Sequence, residues 1–76
     1  MKIEILGTGC SNCKKLEANV RIAVEKTGKN AEITKVTDMK EILSYGVMGL
    51  PALVIDGRIV SQGRVPSVDE IAKMVG

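Results

Sequence analysis

The two cysteines of this 76-residue chain, Cys10 and Cys13, stand three positions apart where a short apolar strand is expected to give way to a helix. A disulfide between them would close a loop of only about four residues, which constrains an unfolded chain by on the order of 2 kcal/mol. Such a bridge would also tie no second element to the first. The pair is therefore a poor structural crosslink, and its spacing favours redox chemistry in which the disulfide opens and closes.

Composition excludes several classes of function. The chain has one tyrosine and no tryptophan or phenylalanine, so a binding platform of stacked aromatic rings is excluded. Its net charge of +2 comes from interspersed acidic and basic residues without a basic cluster, and nucleic acid is not an expected partner. At 76 residues and 45% hydrophobic content, the chain predicts one domain, residues 1–76, with an aliphatic core.

No membrane segment is expected. The apolar run from Ile3 to Leu6 is interrupted by Glu4 and is too short for a signal-peptide core, and no later stretch is long enough to span a bilayer. We therefore expect a cytoplasmic protein. In that reducing compartment a cysteine pair is more often catalytic or metal-binding than a permanent bridge.

Apolar periodicity and turn residues predict seven elements in the order β-α-β-α-β-β-α. Gly28 is expected to end the long first helix. The pairs Asp38/Glu41 and Ser67/Glu70 have the spacing of capping boxes at the starts of the second and third helices. The predicted strands cover residues 2–6, 31–36, 52–55 and 59–60, with an Asp56-Gly57-Arg58 hairpin turn between the last two, and the predicted helices cover 11–27, a short segment at 39–43, and 67–75. This order predicts an α/β fold with a mixed four-stranded sheet and three helices.

The positions of the two cysteines predict different roles for them. A thiol attacks a disulfide as the thiolate, and an unperturbed cysteine with a pKa of about 8.5 is only about 3% ionised at pH 7. Unpaired N–H groups at a helix N-terminus stabilise an anion. Cys10 precedes the helix and is expected to face outward towards these groups, whereas Cys13 lies on the apolar stripe and is expected to be shielded. We therefore expect Cys10 to be the nucleophile and Cys13 the resolving cysteine.

Two nearby charged residues are candidates for tuning the thiol pKa values. Lys14 lies one helical turn from Cys10 and either adds positive potential there or is simply solvated. Glu4 points to the strand face opposite its isoleucine neighbours. If a helix covers that face, Glu4 would be buried and could accept a proton from Cys13. Alternatively, Glu4 reaches water at the end of the sheet. The second alternative is favoured, because burying a carboxylate is costly.

Taken together, the strand, glycine turn, Cys-x-x-Cys helix start, the Val47-Met48-Gly49-Leu50-Pro51 loop and the hairpin that follows resemble the thioredoxin superfamily in its small, glutaredoxin-sized form. The resemblance covers nearly the whole chain. It implies a minimal thioredoxin-like fold over residues 1–76 and the activity of a monomeric dithiol-disulfide oxidoreductase. No cofactor and no metal are expected.

The resemblance also assigns the substrate-binding residues. Only about 5% of X-Pro bonds are cis, so base rates alone predict a trans bond at Pro51. The resemblance implies instead that Pro51 is cis and packs against the cysteines, and that the backbone of Leu50 pairs with a substrate peptide, with Gly49 and Gly9 beside it. It further places Glu4 near the position of the family's buried carboxylate.

The residues around the cysteines depart from both main branches of the superfamily. Gly9 stands where thioredoxins usually carry an aromatic residue, and Ser11-Asn12 replaces the Gly-Pro of thioredoxins and the Pro-Tyr of glutaredoxins. The expected partners are a disulfide-containing protein substrate and an electron donor. The Ser-Asn insert does not indicate whether that donor is a reductase or a low-molecular-weight thiol.

A Cu(I)-carrying metallochaperone is the alternative, because it also places Cys-x-x-Cys after its first strand and binds the metal with two soft thiolates. That family normally has methionine two residues before the first cysteine, where this chain has Thr8, and usually ends on a strand, where residues 67–75 predict a helix. A zinc site is weaker still, because two cysteines and no histidine do not complete a tetrahedral ligand set.

Overall fold

The computed structural model describes all residues, 1–76, and contains the seven predicted elements in the predicted order. The α/β fold with a mixed four-stranded sheet and three helices is confirmed. None of the three helices is long and apolar enough to cross a membrane. The strands are β1 (Lys2–Leu6), β2 (Glu32–Val36), β3 (Ala52–Ile55) and β4 (Arg58–Gln62), and the helices are α1 (Ser11–Thr27), α2 (Met39–Ser44) and α3 (Val68–Val75).

The sheet has the strand order β2-β1-β3-β4, so β1 lies in its interior. β1 runs parallel to β2 and antiparallel to β3, which is itself antiparallel to β4. Leu6, the last residue of β1, pairs with Val36 on one side and with Ala52, the first residue of β3, on the other. This register brings the segment that follows β1, which carries the cysteines, next to the segment that precedes β3, which carries Pro51.

Each face of the sheet has its own apolar cluster. Because successive side chains of a strand point to opposite faces, Ile3 and Ile5 of β1 pack towards α1 and α3, whereas Leu6 packs towards α2. Fully burying one such aliphatic side chain contributes roughly 1.5–3 kcal/mol. The first cluster contains Ile3, Ile5, Leu16, Val20, Ala23, Leu53, Ile55, Ile71 and Val75, and the second contains Leu6, Val36, Ile42, Ala52 and Val54.

The hairpin turn is tighter than the sequence predicted. Only Asp56 and Gly57 form it, with φ angles of 50° and 82°, the left-handed conformation that a two-residue type I′ turn requires at both positions. Arg58 is consequently already paired with Ile55. β4 therefore extends over Arg58–Gln62 instead of the predicted 59–60, and β2 begins one residue later than predicted, at Glu32.

One of the two predicted capping boxes forms. At α3 the Ser67 hydroxyl accepts from the backbone N–H of Glu70, and the Glu70 carboxylate accepts from the backbone N–H of Ser67. The predicted box at α2 is wrong, because the Asp38 side chain accepts instead from the backbone N–H of Lys40 at 3.1 Å and Glu41 does not return the bond. A single side-chain cap is sufficient to start this six-residue helix.

Candidate active site

Cys10 is the residue that starts α1. Its backbone is extended, with φ −70° and ψ 170°, and its carbonyl accepts the first helical hydrogen bond, from the N–H of Lys14 at 3.1 Å. Gly9 turns the chain into this position with a φ of 90°, a conformation that suits glycine. The Cys10 side chain is consequently exposed at the tip of the helix.

Cys13 lies one turn further along α1 and is 7% exposed. Both cysteines are free thiols, and their Sγ atoms are 2.9 Å apart, within hydrogen-bonding distance for sulfur. One turn of helix therefore places an exposed sulfur directly in contact with a buried one.

The pKa of the Cys10 thiol is lowered from its ordinary value. The largest cause is the hydrogen bond from the Cys13 thiol, followed by the backbone N–H of Cys13 and a smaller contribution from that of Asn12, while partial desolvation acts in the opposite direction. The sequence predicted that the helix N–H groups would stabilise this anion. These groups do lower the pKa of Cys10, but the second thiol is the stronger influence.

The loop that precedes β3 contains a cis peptide bond between Leu50 and Pro51. The prediction of a trans bond from base rates is therefore wrong, and the cis bond that the resemblance implies is present. The Pro51 ring is buried, and its carbonyl accepts from the N–H of Gly63 at 3.1 Å. The Met48 N–H donates to the Gln62 side chain at 2.7 Å, so this loop is attached at two points to the end of β4.

Glycines allow close approaches on both sides of Pro51. A Cβ atom on Gly49 would lie 3.2 Å from the Cα of Gly63, closer than ordinary van der Waals contact. A Cβ atom on Gly7, at the end of β1, would overlap the sulfur of Cys13 and lie 3.9 Å from the Cβ of Pro51. The tertiary structure thus gathers Gly7, Cys13 and Pro51 into one site.

Glu4 is half-buried, and its carboxylate accepts a hydrogen bond from the hydroxyl of Tyr45, the residue that ends α2. Neither alternative raised by the sequence, contact with Cys13 or full hydration at the sheet end, included this partner. The bond to the Glu4 carboxylate raises the pKa of Tyr45 to about 12. Proton acceptance by Glu4 from Cys13 has no supporting contact in the structure.

A cleft of about 90 Å³ opens beside Cys13. Lys14 lines it and makes no ion pair, while Glu17 accepts from Arg21 at 2.9 Å and lies 3.5 Å from the ammonium of Lys35. The hydrogen bond from Arg21 and the charge of Lys35 lower the pKa of the Glu17 carboxyl. The cleft is lined by Ile5, Gly7, Gly9, Cys13, Lys14, Glu17, Lys35 and Thr37.

No group of three or more histidine, cysteine, aspartate or glutamate side chains is arranged to hold a metal ion. The soft ligands at the site are the two cysteine sulfurs.

Sequence reasoning missed three residues of the site. Tyr45 is the only aromatic residue of the chain, and this could have signalled a special role. Its partner Glu4 is 41 positions away, so no local pattern predicts the contact. Gly7 belongs to the glycine turn that follows β1, but its φ is not in the left-handed region, and its close approach to Cys13 has no signal in the sequence. Gly63 has a φ of 72° and holds the Pro51 carbonyl, and no local pattern connects these two residues.

Comparison with known proteins agrees with this geometry. A family model described as a thioredoxin domain matches residues 1–76. The chain is 48% identical over 75 residues to a thioredoxin of Methanothermobacter thermautotrophicus, covering 99% of this chain and 97% of that protein. It is also 48% identical over 69 residues to a thioredoxin of Methanocaldococcus jannaschii, covering 91% and 79% of the two chains. This chain therefore belongs to the thioredoxin family and is a small dithiol-disulfide oxidoreductase.

Proposed function

We propose that this protein reduces disulfide bonds in protein substrates, with Cys10 as the nucleophile and Cys13 as the resolving cysteine. The observation that carries the proposal is the contact between an exposed sulfur and a buried one, 2.9 Å apart at the start of α1. The lowered pKa of Cys10 supports its assignment as the group that ionises first.

In the first step the Cys10 thiolate attacks one sulfur of the substrate disulfide. A bond forms between Cys10 Sγ and that sulfur, the substrate S–S bond breaks, and the other substrate sulfur leaves as a thiolate. Exposure of Cys10 suits it to this bimolecular step, because the attacking sulfur must reach a partner outside the chain.

In the second step Cys13, as the thiolate, attacks Cys10 Sγ. The Cys10–Cys13 disulfide forms, the mixed disulfide breaks, and the remaining substrate sulfur leaves as a thiolate, so the substrate gains two electrons and the protein loses two. The 2.9 Å separation places the attacking sulfur close to its target before any substrate arrives. Burial protects Cys13 from external disulfides in the meantime.

The substrate peptide is proposed to lie across Gly9, Gly49, Leu50 and Pro51. The backbone N–H and C=O of Leu50 make no hydrogen bond within the chain, so both groups are free to pair with an extended peptide. The attachment of the Pro51 loop to Gly63 keeps these groups in a fixed position. Lys14, exposed and without an ion-pair partner, is proposed to add positive potential near the ionising sulfurs.

Return to the dithiol state requires an external electron donor, either a reductase or a low-molecular-weight thiol, that breaks the Cys10–Cys13 disulfide. We propose that the protein works as a monomer in the cytoplasm, a reducing compartment in which such a pair can be reset continuously.

Two single substitutions test the assigned roles. With a disulfide-containing protein such as insulin, Cys13→Ser should accumulate a mixed disulfide on Cys10, detectable by mass spectrometry, because the resolving thiol is missing. Cys10→Ser should form no mixed disulfide and no reduced insulin. Equal residual activity in the two variants would refute the assignment.

A parallel incubation with Cu(I) distinguishes a redox function from a metal-carrying function. Reduced protein is incubated in parallel with the disulfide substrate and with Cu(I), and the free thiols and retained metal are counted after desalting. Loss of two thiols to the substrate, with no stoichiometric copper retained in the parallel sample, supports the proposal. Tight retention of one Cu(I) per chain without disulfide turnover would favour the carrier function instead.

A further inference from the structure

Gly7 occupies a position where the backbone does not require glycine. It is buried directly after β1, and its N–H donates to the carbonyl of Val36 at 3.1 Å. Its φ is not among the positive values of the chain, in contrast to that of Gly9. An alanine could therefore adopt the same conformation and keep the same backbone hydrogen bond, so the absence of a side chain at residue 7 needs another reason.

The reason lies in the space around the missing Cβ atom. That atom would overlap the Sγ of Cys13 and would lie 3.1 Å from the Cβ of Cys13. Its remaining near neighbour, the Cβ of Pro51, would be 3.9 Å away, in ordinary contact. The conflict is thus specific to Cys13, the buried member of the pair.

With a larger residue at position 7, the Cys13 sulfur could avoid the overlap at low energetic cost only by rotation of its side chain. The sulfur is the free end of its side chain and can rotate, and the cleft lined by both Gly7 and Cys13 offers room for it. Rotation would relieve the overlap with the sulfur, although not the 3.1 Å approach between the two Cβ atoms, and it would take the sulfur away from Cys10, whose Sγ is now 2.9 Å distant. We therefore expect the substitution to disturb the contact between the two sulfurs more than it disturbs the fold.

We propose that Gly7 is a positioning residue for the second step of the reaction, holding the Cys13 sulfur against the Cys10 sulfur by leaving its own Cβ position empty. This inference rests on the proposed roles of the two cysteines. It separates the two chemical steps, because attack by the exposed Cys10 does not need Cys13 in place as a nucleophile, whereas resolution does. A misplacement of about 1 Å can slow a reaction by about 10²-fold.

The test follows both steps with one reagent, a dithiobis(nitrobenzoate) disulfide at one equivalent. Attack by Cys10 releases one coloured nitrothiobenzoate and leaves the other as a mixed disulfide, and attack by Cys13 on Cys10 Sγ releases the second. At an alkaline pH, where Cys10 is ionised in both proteins, the first release in Gly7→Ala should stay within about 2-fold of the unmodified protein, and the second should slow by at least about 10-fold. A second release as fast as in the unmodified protein would overturn the proposal, as would equal slowing of both releases.

Control variants distinguish the possible failures. Cys13→Ser should stop after the first release, and if it does not, the proposed function fails independently of Gly7. Thr8→Ala, in the exposed turn next to Gly7, should leave both releases unchanged, and a slowed second release there would show a general effect of the turn that contradicts the proposal.

A double-mutant cycle keeps the proposal testable if Gly7→Ala is poorly folded. The loss of unfolding free energy caused by Gly7→Ala is measured in the unmodified protein and in Cys13→Ala, which lacks the sulfur. A smaller loss in the Cys13→Ala background supports steric conflict with that sulfur. An equal loss in both backgrounds, or failure of both to fold, would show that the added Cβ atom disturbs something other than the Cys13 sulfur, and this would overturn the proposal.

Discussion

The hydroxyl of Tyr45 donates a hydrogen bond to the carboxylate of Glu4 and so joins the end of α2 to the interior strand β1. The phenol must lose its proton next to a negative charge, and this raises the pKa of Tyr45 to about 12. Because the chain has one tyrosine and no tryptophan, the phenolate absorbance reports this residue alone.

Replacing Glu4 by Gln should return the pKa of Tyr45 towards its ordinary value of about 10, since the amide keeps the shape of the carboxylate and loses its charge. A raised phenol pKa means that the folded state favours the protonated form. The contribution to stability is therefore complete below about pH 10 and is lost as pH rises through about 12. Spectrophotometric titration of both proteins measures the two midpoints.

Glu41→Gln is the matched control for that titration, because Glu41 raises the Tyr45 pKa less than Glu4 does and acts through its charge alone. Its midpoint should stay near that of the unmodified protein. A Glu4→Gln midpoint equal to the Glu41→Gln midpoint would show that the hydrogen bond does not control this phenol.

Removing the Cys13 thiol should raise the pKa of Cys10, because the hydrogen bond from that thiol is the largest cause of its depression. Alkylation of Cys10 by iodoacetamide follows the thiolate, so its rate profile in Cys13→Ala should move to higher pH. Cys13→Ser keeps a hydroxyl donor at the same position and should fall between the two. A Cys13→Ala profile that coincides with that of the unmodified protein would assign the low pKa to the helix N–H groups instead.

Gly49→Ala should weaken substrate binding more than it affects the chemistry of the sulfurs. The added Cβ would lie 3.2 Å from the Cα of Gly63, so the loop carrying Leu50 and Pro51 must shift away from the end of β4. We expect a higher KM for a protein disulfide, with the rate of Cys10 alkylation within about 2-fold of the unmodified protein, because exposure of that sulfur does not depend on the loop. An unchanged KM would argue against peptide binding at this loop.

Ser67→Ala should destabilise the protein by about 1 kcal/mol, the usual effect of removing a helix N-cap. The lost bond is the one from the Glu70 N–H to the Ser67 hydroxyl, 3.1 Å long. For a chain of this size that loss lowers Tm by roughly 4–8 °C, measurable by calorimetry. Ser44→Ala, which removes an exposed hydroxyl bonded within α2, serves as the control and should change Tm much less.

The contribution of this helix cap to the stability of the protein decreases at acidic pH. The backbone N–H of Ser67, followed by the charge of Arg64, lowers the pKa of Glu70. A depressed carboxyl pKa contributes stability above the ordinary value of about 4.3 and loses it as pH falls through the lowered value. Glu70→Gln should therefore narrow the difference in Tm between neutral and acidic pH, and an unchanged difference would contradict this.

Much of the fold was predictable because its signals are local. The spacing of apolar residues located β1 and α1, Gly28 ended α1 with a φ of 66°, and the Ser67/Glu70 spacing specified a capping box that forms as predicted. In each case the interacting groups lie within a few positions of one another, so propensity and turn chemistry decide the outcome. The failed box at Asp38 shows the limit, since one competing N–H nearby was enough to redirect the side chain.

The arrangement of the site depended on distant residues. Gly63 holds the carbonyl of Pro51, and Tyr45 binds Glu4, through contacts that exist only once β1, β3 and β4 have paired. Base rates predicted a trans bond before Pro51, and the cis bond is evident only in the folded structure.

By itself, then, the sequence determined the order of elements and placed two thiols one turn apart at a helix start, because both depend on local periodicity and chain geometry. The apolar stripe of α1 also predicted which thiol is buried. Only the tertiary structure decided what surrounds that buried thiol. The register of β1 against β2 and β3 places Gly7 beside Cys13, since packing around a buried sulfur is set by atoms that converge from separate strands.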